Sequence, residues 1–158
     1  MLDKNEIPTS TIGDNHNHDM IRVCKGGNMK EITVIAGSRL DKHSERSFRE
    51  NYEQRYVAAF DQVEYLIAQL DPAEHIIVTG GAAGIDRISH ITAVQRGFEA
   101  YEMKAPWYLG KHAGFLRNDF MVRIGGQVYT IWDGESRGTA DTQQRAIQAG
   151  TLRGTLRF

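Results

Sequence analysis

The sequence predicts an α/β fold, a three-layer sandwich in which a parallel sheet of 4–5 strands carries helices on both faces. Two observations support this prediction. Short apolar runs alternate along the chain with longer segments whose apolar residues recur at helical spacing, and glycines stand at most of the junctions between them. Such an alternation is typical of βαβ units, which build a parallel sheet through right-handed crossovers.

The first half of this pattern consists of two strand–helix units. Thr33–Ala36 is a short apolar run that ends at a glycine, as buried strands often do. A helix is predicted from Ser44 to Leu70, and His75–Thr79 and Ile85–Gln95 form the next strand and helix. The apolar face of the long helix recurs at spacings of 4, 3, 4 and 3, at Tyr56, Phe60, Val63, Ile67 and Leu70.

The second half repeats the alternation. Its predicted strands are Phe98–Met103, Gln127–Trp132 and a short last one at Thr155–Phe158. Its predicted helices are Gly114–Ile124 and Thr139–Ala149, each followed by glycine, the residue that most often ends a helix. The whole series defines a Rossmann-like domain.

Composition indicates one globular domain and excludes several classes of protein. The chain has 158 residues and a formal net charge of −1, which argues against a surface that binds nucleic acid or anionic membrane as a whole. The single cysteine, Cys24, excludes an intramolecular disulfide framework. No apolar run reaches the roughly 18 residues of a transmembrane helix, and the N-terminus lacks a signal-peptide pattern. We therefore expect a cytoplasmic protein with no membrane contact.

Residues 1–29 differ from the remainder of the chain. Gly, Asn, Asp and His are frequent there, and a segment with so few apolar residues has no core of its own. We expect a flexible polar tail over residues 1–29 and a single domain over residues 30–158. His16 and His18 form a pair in this tail without further ligands nearby, so no metal site is predicted.

Three loops with unusual composition follow strands of the predicted sheet. They are Gly37–Arg39, Gly80–Asp86 and Asp133–Thr139. In open parallel sheets, ligands bind beyond the carboxyl ends of the strands, at the point where the strand order reverses. Loops that are distant in sequence are therefore expected to meet at one edge of the sheet.

The chemistry of these loops is suited to phosphate. Glycine lets backbone N–H groups approach a ligand closely, and the first N–H groups of a helix lack internal partners. A glycine-rich turn that enters a helix is therefore an anion site, and we predict two, at Gly81–Ile85 and at Ser136–Thr139. The hydroxyls of Ser38, Ser136 and Thr139 and the guanidinium groups of Arg39, Arg117 and Arg137 would add donors.

Each of these signals also has a structural explanation. Glycines after strands are ordinary turn residues, Asp86 favours a helix N-terminus, and Thr139 is a common type of N-cap. Arg55 lies on the long helix among alternating acidic and basic residues, which is typical of a solvated face. Only a ligand site, however, accounts for all three loops at one edge of the sheet.

Four motifs in order over residues 31–150 resemble the YspA-type, YpsA-related branch of the SLOG superfamily. They are Ile35–Arg39, Val78–Asp86, the stretch Gly110–Gly114 with Arg117, Asn118 and Met121, and Trp132–Asp141. The resemblance implies a Rossmann-like fold and a site for a nucleotide or nucleotide-derived ligand. The implied site consists of Gly37, Ser38, Arg39, Gly80, Gly81, Ala82, Ala83, Gly84, Asp86, Arg117, Asn118, Asp133, Gly134, Ser136, Arg137, Gly138 and Thr139.

Two more distant relatives offer alternative functions. The Lonely Guy phosphoribohydrolases of this superfamily cleave nucleoside monophosphates, and their phosphate loop reads G-G-x-G-T-x-x-E. The corresponding stretch here keeps Gly138 and Thr139, but its first two positions are Glu135 and Ser136, and Thr142 replaces the catalytic glutamate. The second relative, the DNA-processing protein A group, binds single-stranded DNA and has a loop similar to Gly81–Asp86.

The leading prediction is a module that binds a phosphate-bearing nucleotide ligand and senses it or presents it to a partner. The first alternative is an N-glycosidic-bond hydrolase that acts on nucleoside monophosphates through Asp86, Asp133 or Asp141, so enzymatic activity stays open. The second alternative is single-stranded DNA binding, which the net charge disfavours.

The expected partner is a small molecule rather than a nucleic acid, with no cofactor. A homodimer is compatible with the exposed helices of such a domain.

Overall fold

The computed structural model describes residues 22–25, 27–40 and 48–158. Within them the chain forms six strands and four α-helices. In chain order these are β1 (Arg22–Lys25), β2 (Asn28–Gly37), α1 (Phe48–Ile67), β3 (His75–Thr79), α2 (Ile85–Gln95), β4 (Glu99–Glu102), α3 (Ala113–Ile124), β5 (Gln127–Trp132), α4 (Arg137–Gln148) and β6 (Leu152–Arg157). A short 3₁₀ helix, Trp107–Leu109, precedes α3.

The sheet has the order β4-β3-β2-β5-β6, and these five strands are parallel. The predicted three-layer α/β sandwich is thereby confirmed. From β2 the chain moves outward to β3 and β4 and then returns to β5, on the other side of β2. The direction of winding thus reverses between β2 and β5, and the crevice of this sheet lies at their carboxyl ends.

Successive residues of the central strands supply two separate cores, because neighbouring side chains of a strand point to opposite faces. On one face Ile35 and Ile77 pack with Val63 of α1 and Ile85 of α2. On the other face Val34 and Val78 pack with Met121 of α3 and Ala146 of α4. The sheet is thus buried on both sides, which explains the continuous apolar runs of its strands.

The N-terminal boundary differs from the predicted one. Residues 22–25, assigned to the tail from composition, form β1, which pairs antiparallel with the first residues of β2. Cys24 lies in this strand. Residues 1–21 and 41–47, which include His16, His18 and the predicted helix start at Ser44, lie outside the described residues. Among the described helices none has the length and apolar character needed to cross a bilayer.

Two C-terminal elements begin earlier than the sequence predicts. Helix α4 starts at Arg137 with Ser136 as its N-cap, so Thr139 is the third helical residue and not the cap. Strand β6 starts at Leu152, because Leu152 pairs with Val128 of β5. Its sequence, LRGTLR, lacks the apolar run that identified the inner strands, since β6 is the edge of the sheet.

Candidate functional site

A cleft of about 280 Å³ opens at the carboxyl end of β2, between the loop before α2 and the first turns of α3 and α4. It lies where the winding of the sheet reverses. The predicted site residues that line it are Gly37, Arg39, Ala82, Asp86, Arg117, Asn118, Ser136, Gly138 and Thr139. The three predicted loops therefore do meet at one edge of the sheet.

The other predicted residues lie beside the cleft and do not line it. They are Ser38, Gly80, Gly81, Ala83, Gly84, Asp133, Gly134 and Arg137. Two of the predicted glycines have a packing role, whether or not a ligand is bound. A Cβ at Gly37, which lines the cleft, would overlap Ile85, and a Cβ at Gly80, beside the cleft, would overlap the guanidinium group of Arg117.

Asp86 occupies the first of the two predicted anion sites with its own carboxylate. It is 4% exposed, and its two oxygens accept hydrogen bonds from the N–H groups of Gly37 at 3.0 Å and Ala82 at 3.3 Å. Burial raises the pKa of Asp86, while Arg117 and the backbone N–H groups of Gly37, Ala82 and Gly80 oppose that rise. The glycine-rich turn before α2 is thus organised around an internal carboxylate.

Asp133 holds the loop that leads into α4. One carboxylate oxygen accepts hydrogen bonds from the hydroxyl of Ser38 at 2.9 Å and from the N–H groups of Glu135 and Ser136 at 3.0 and 2.9 Å. The other lies 3.3 Å from Nη2 of Arg55. Burial by itself would raise the pKa of Asp133, but these donors outweigh it and hold the pKa below its ordinary value. The carboxylate therefore fixes where α4 begins.

Arg55 has a different role from the one its sequence pattern suggests. The alternating charges of α1 predict a solvated side chain, whereas Arg55 reaches across to Asp133. The buried hydroxyl of Ser38 likewise serves this network, since it donates to the Asp133 carboxylate and accepts from the Asp133 N–H at 3.1 Å. Neither contact has a local sequence signal, because the partners are 78 and 95 residues apart.

The first turn of α4 presents backbone donors to the cleft. The N–H groups of Arg137, Gly138 and Thr139 donate no hydrogen bond within the described residues, and the side chain of Ser136 does not cap the helix. The carbonyl of Ser136 accepts a hydrogen bond from Nε1 of Trp132 at 3.1 Å, which holds the turn against β5. Unpaired amides at a helix N-terminus bind anions, and the helix dipole favours negative charge there.

Helix α3 is tied to this turn by two adjacent side chains. Arg117 donates from Nη1 to the carbonyl oxygens of Gly80 and Met103, and from Nε to the side chain of Asn118 at 3.0 Å. The amide of Asn118 in turn donates to the carbonyl of Gly138 at 3.3 Å and to Asp141 at 3.1 Å. Burial lowers the pKa of Arg117, an effect that Asp86 opposes and Arg39 reinforces. This pair fixes the spacing between α3 and α4.

Two further cations stand at the rim of the cleft. Arg39 and Lys111 are exposed and line it, and within the described part of the chain neither meets a carboxylate. Asp86 is the only acidic side chain among the described residues that line the cleft, and it faces Arg117. The cleft therefore carries an excess of positive charge although the whole chain is nearly neutral.

Sequence reasoning from the three glycine loops missed one wall of the cleft. Trp107, Lys111, Gly114 and Phe115 line it from the segment between β4 and the first turn of α3. Ala36, Met121 and Thr142 complete the lining. The available signal was Trp107-Tyr108-Leu109, a run of large apolar side chains in a loop, where burial does not explain them.

No three His, Cys, Asp or Glu side chains in the described ranges lie together in a way that suits a metal ion. Comparison of the chain with protein-family models, with curated proteins and with solved structures gave no match. The case for a function therefore depends on the geometry of the cleft.

Proposed function

We propose that the chain binds a nucleotide or a nucleotide-derived ligand, with a phosphate group at the first turn of α4. The observation that carries the proposal is the convergence of the unpaired amides of that turn with Arg39 and Lys111 around one cleft. Charge-assisted hydrogen bonds from such groups favour an anion. The protein would act as a sensor of this ligand or present it to a partner.

From the sequence motifs alone, we also propose that the chain belongs to the YspA-type branch of the SLOG superfamily. Three of the four motifs, at Ile35–Arg39, at Val78–Asp86 and at Trp132–Asp141, supply lining residues or the loops beneath them. The fourth, Gly110–Gly114 with Arg117, Asn118 and Met121, supplies lining residues as well, and its Arg117 and Asn118 set the spacing of α3 and α4.

Hydrolysis of an N-glycosidic bond is not part of the proposal. Such a reaction needs a carboxylate that faces the substrate. Asp133 is engaged by its own loop, and Asp141 accepts hydrogen bonds from Asn118 and from Nε of Arg145, the latter at 2.9 Å. Neither lines the cleft. Asp86 does line it, but it is 4% exposed and its two oxygens accept hydrogen bonds from the N–H groups of Gly37 and Ala82. Thr142 also lines it, but its hydroxyl donates to the carbonyl of Gly138 at 3.1 Å and it carries no acid group.

The test replaces Gly138, which lines the cleft and has no atom within 4 Å of an added Cβ. Because a Cβ at this position meets no neighbouring atom, we expect Gly138→Val to place bulk at the amides of α4 and to keep the fold, which circular dichroism checks. We expect the affinity for adenosine 5′-monophosphate, measured by isothermal titration calorimetry, to fall at least about tenfold, the value of one or two charge-assisted hydrogen bonds.

The matched control is Gly154→Val on the edge strand β6, where an added Cβ makes only ordinary contact with Tyr129 at 3.5 Å. It should bind like the unchanged protein. Undiminished binding by Gly138→Val would show that the phosphate is misplaced. Absence of binding across nucleoside mono- and diphosphates, nucleotide sugars and ADP-ribose derivatives would remove the proposal.

A further inference from the structure

The second wall of the cleft is aromatic and exposed. Trp107 is 57% exposed and Phe115 is 42% exposed, yet both line the cleft opposite the loops of the sheet. Exposed large apolar side chains inside a positively charged cleft are not explained by core packing or by the binding of an anion. They are suited to a ligand with a flat, apolar part.

One edge of the Trp107 indole lies beside Gly114, where a side chain would crowd it. A Cβ added to Gly114 would stand 3.4 Å from the edge of that ring. Gly114 and Phe115 belong to the first turn of α3, which brings the two aromatic side chains to the same wall. Aromatic side chains have only two side-chain torsions, so they stack on a planar ring at low entropic cost.

The aromatic wall and the first turn of α4 border the same cleft. Trp107 and Phe115 line it together with Ser136, Gly138 and Thr139, and its volume is about 280 Å³. Asn118, three residues after Phe115 on α3, donates to the carbonyl of Gly138 and so ties the two walls together. The base and the phosphate of a single nucleotide can therefore occupy the two sides of one cleft.

We infer that Trp107 stacks on the base of the ligand, so that the cleft selects nucleotides over sugar phosphates; this inference rests on the proposed function. Stacking uses the face of the base and not its hydrogen-bonding edge, so purine and pyrimidine nucleotides both bind. Phe115 borders the same subsite, and Arg39 and Lys111 contribute charge that does not distinguish a base from a bare sugar phosphate.

The experiment compares adenosine 5′-monophosphate with ribose 5-phosphate on four proteins: the unchanged chain, Trp107→Ala, Trp107→Phe and Tyr108→Ala. Tyr108 is the matched control because it adjoins Trp107, is 87% exposed and does not line the cleft. Calorimetry gives the affinities, and tryptophan emission reports stacking, since Trp132 is the only other tryptophan.

We expect the unchanged chain to bind the nucleotide at least about tenfold more tightly than the sugar phosphate, the usual effect of one stacked base. Trp107→Ala should remove most of that preference and leave ribose 5-phosphate binding unchanged. Trp107→Phe should restore part of it, and Tyr108→Ala should behave like the unchanged chain. Nucleotide should quench emission only where Trp107 is present.

Equal binding of the two ligands, with no effect of Trp107→Ala on either, overturns this inference and leaves the phosphate site standing. Failure of both ligands to bind overturns the proposed function and this inference with it. Loss of ribose 5-phosphate binding in Trp107→Ala also contradicts the inference, because it would mean that the side chain only supports the fold of the cleft.

Discussion

Asp133 shows how a single residue decides the shape of this site. Its carboxylate satisfies the amides of Glu135 and Ser136, the hydroxyl of Ser38 and the guanidinium of Arg55. A charged group with several donors is stabilised in the folded state, and the donors lose their partner when the charge is removed. The residue chosen from sequence as a ligand contact is thus used to build the loop.

The resulting prediction concerns pH. The pKa of Asp133 is lower in the folded state than its ordinary value near 3.9. The stabilisation of the folded state by Asp133 is therefore complete above about pH 3.9 and is lost as pH falls through the folded pKa. Asp133→Asn should lower the free energy of unfolding by about 1–3 kcal/mol at pH 7, and the deficit should shrink as pH falls below about 4. Urea denaturation at several pH values measures both quantities.

Comparing the free energy of unfolding of Asp133→Asn with that of the unchanged chain separates the effect of Asp133 from the effect of Asp86. The pKa of Asp86 is raised by burial, so the contribution of Asp86 to the stability of the folded state is present at low pH and decreases as pH rises through its folded pKa. That contribution is the same in both proteins and cancels. Asp61→Asn, at an exposed position of α1, is the control and should show no deficit at any pH. A deficit of Asp133→Asn that stays constant down to pH 2 would contradict the assignment.

At the scale of elements, the entry into α2 depends on Gly84. This residue has φ 102° and ψ −129°, a conformation that only glycine adopts readily. An added Cβ would stand 2.5 Å from the backbone nitrogen of Leu40 and 2.8 Å from the carbonyl oxygen of Ser38. The loop after β2 and the start of α2 therefore pack backbone against backbone, which no side chain permits.

Substitution of Gly84 by alanine should destabilise the protein through both strain and overlap. We expect a loss of more than about 3 kcal/mol in the free energy of unfolding. Gly97→Ala is the matched control, since Gly97 also has a positive φ, 84°, but nothing within 4 Å of an added Cβ. Its cost should be limited to about 1–2 kcal/mol. Equal losses in urea denaturation would show that the overlap relaxes and that backbone strain alone matters.

At the scale of the molecule, positive charge is concentrated at the cleft while the chain as a whole has a net charge of −1. Binding of a phosphate ligand should therefore weaken with ionic strength, because salt screens exposed charges. Lys111→Ala should reduce the affinity for adenosine 5′-monophosphate by about two- to fivefold at low salt and by less at high salt. Arg153→Ala, an exposed position on β6, should leave affinity and salt dependence unchanged.

The concentration of positive charge at a single cleft argues against the binding of single-stranded DNA. A strand needs a basic path longer than one cleft, so a 20-nucleotide oligo-dT should not shift in a native gel at 150 mM salt. A shift that disappears steeply with added salt would favour the DNA alternative over the nucleotide. The homodimer stays a prediction that sedimentation can test.

The sequence alone was enough for the class of fold. Apolar runs and helical spacings are local properties, so β3, α2 and β5 were predicted with their observed bounds, His75–Thr79, Ile85–Gln95 and Gln127–Trp132. The rule that ligands bind beyond the carboxyl ends of parallel strands then placed the three loops at one edge of the sheet, where the structure has a cleft. Prediction failed where an element is defined by its neighbours, as at β1 and the start of β6.

Tertiary structure alone decided what the residues at that edge do. The N–H of Gly37 donates to Asp86, 49 residues away, and the hydroxyl of Ser38 donates to Asp133, 95 residues away, so these predicted ligand contacts are used within the protein. Trp107 and Phe115 lie outside the three predicted loops, yet they line the cleft because α3 packs against the first turn of α4. A donor already satisfied within the protein is unavailable to a ligand, and which donors are satisfied depends on distances between segments that a linear pattern does not contain.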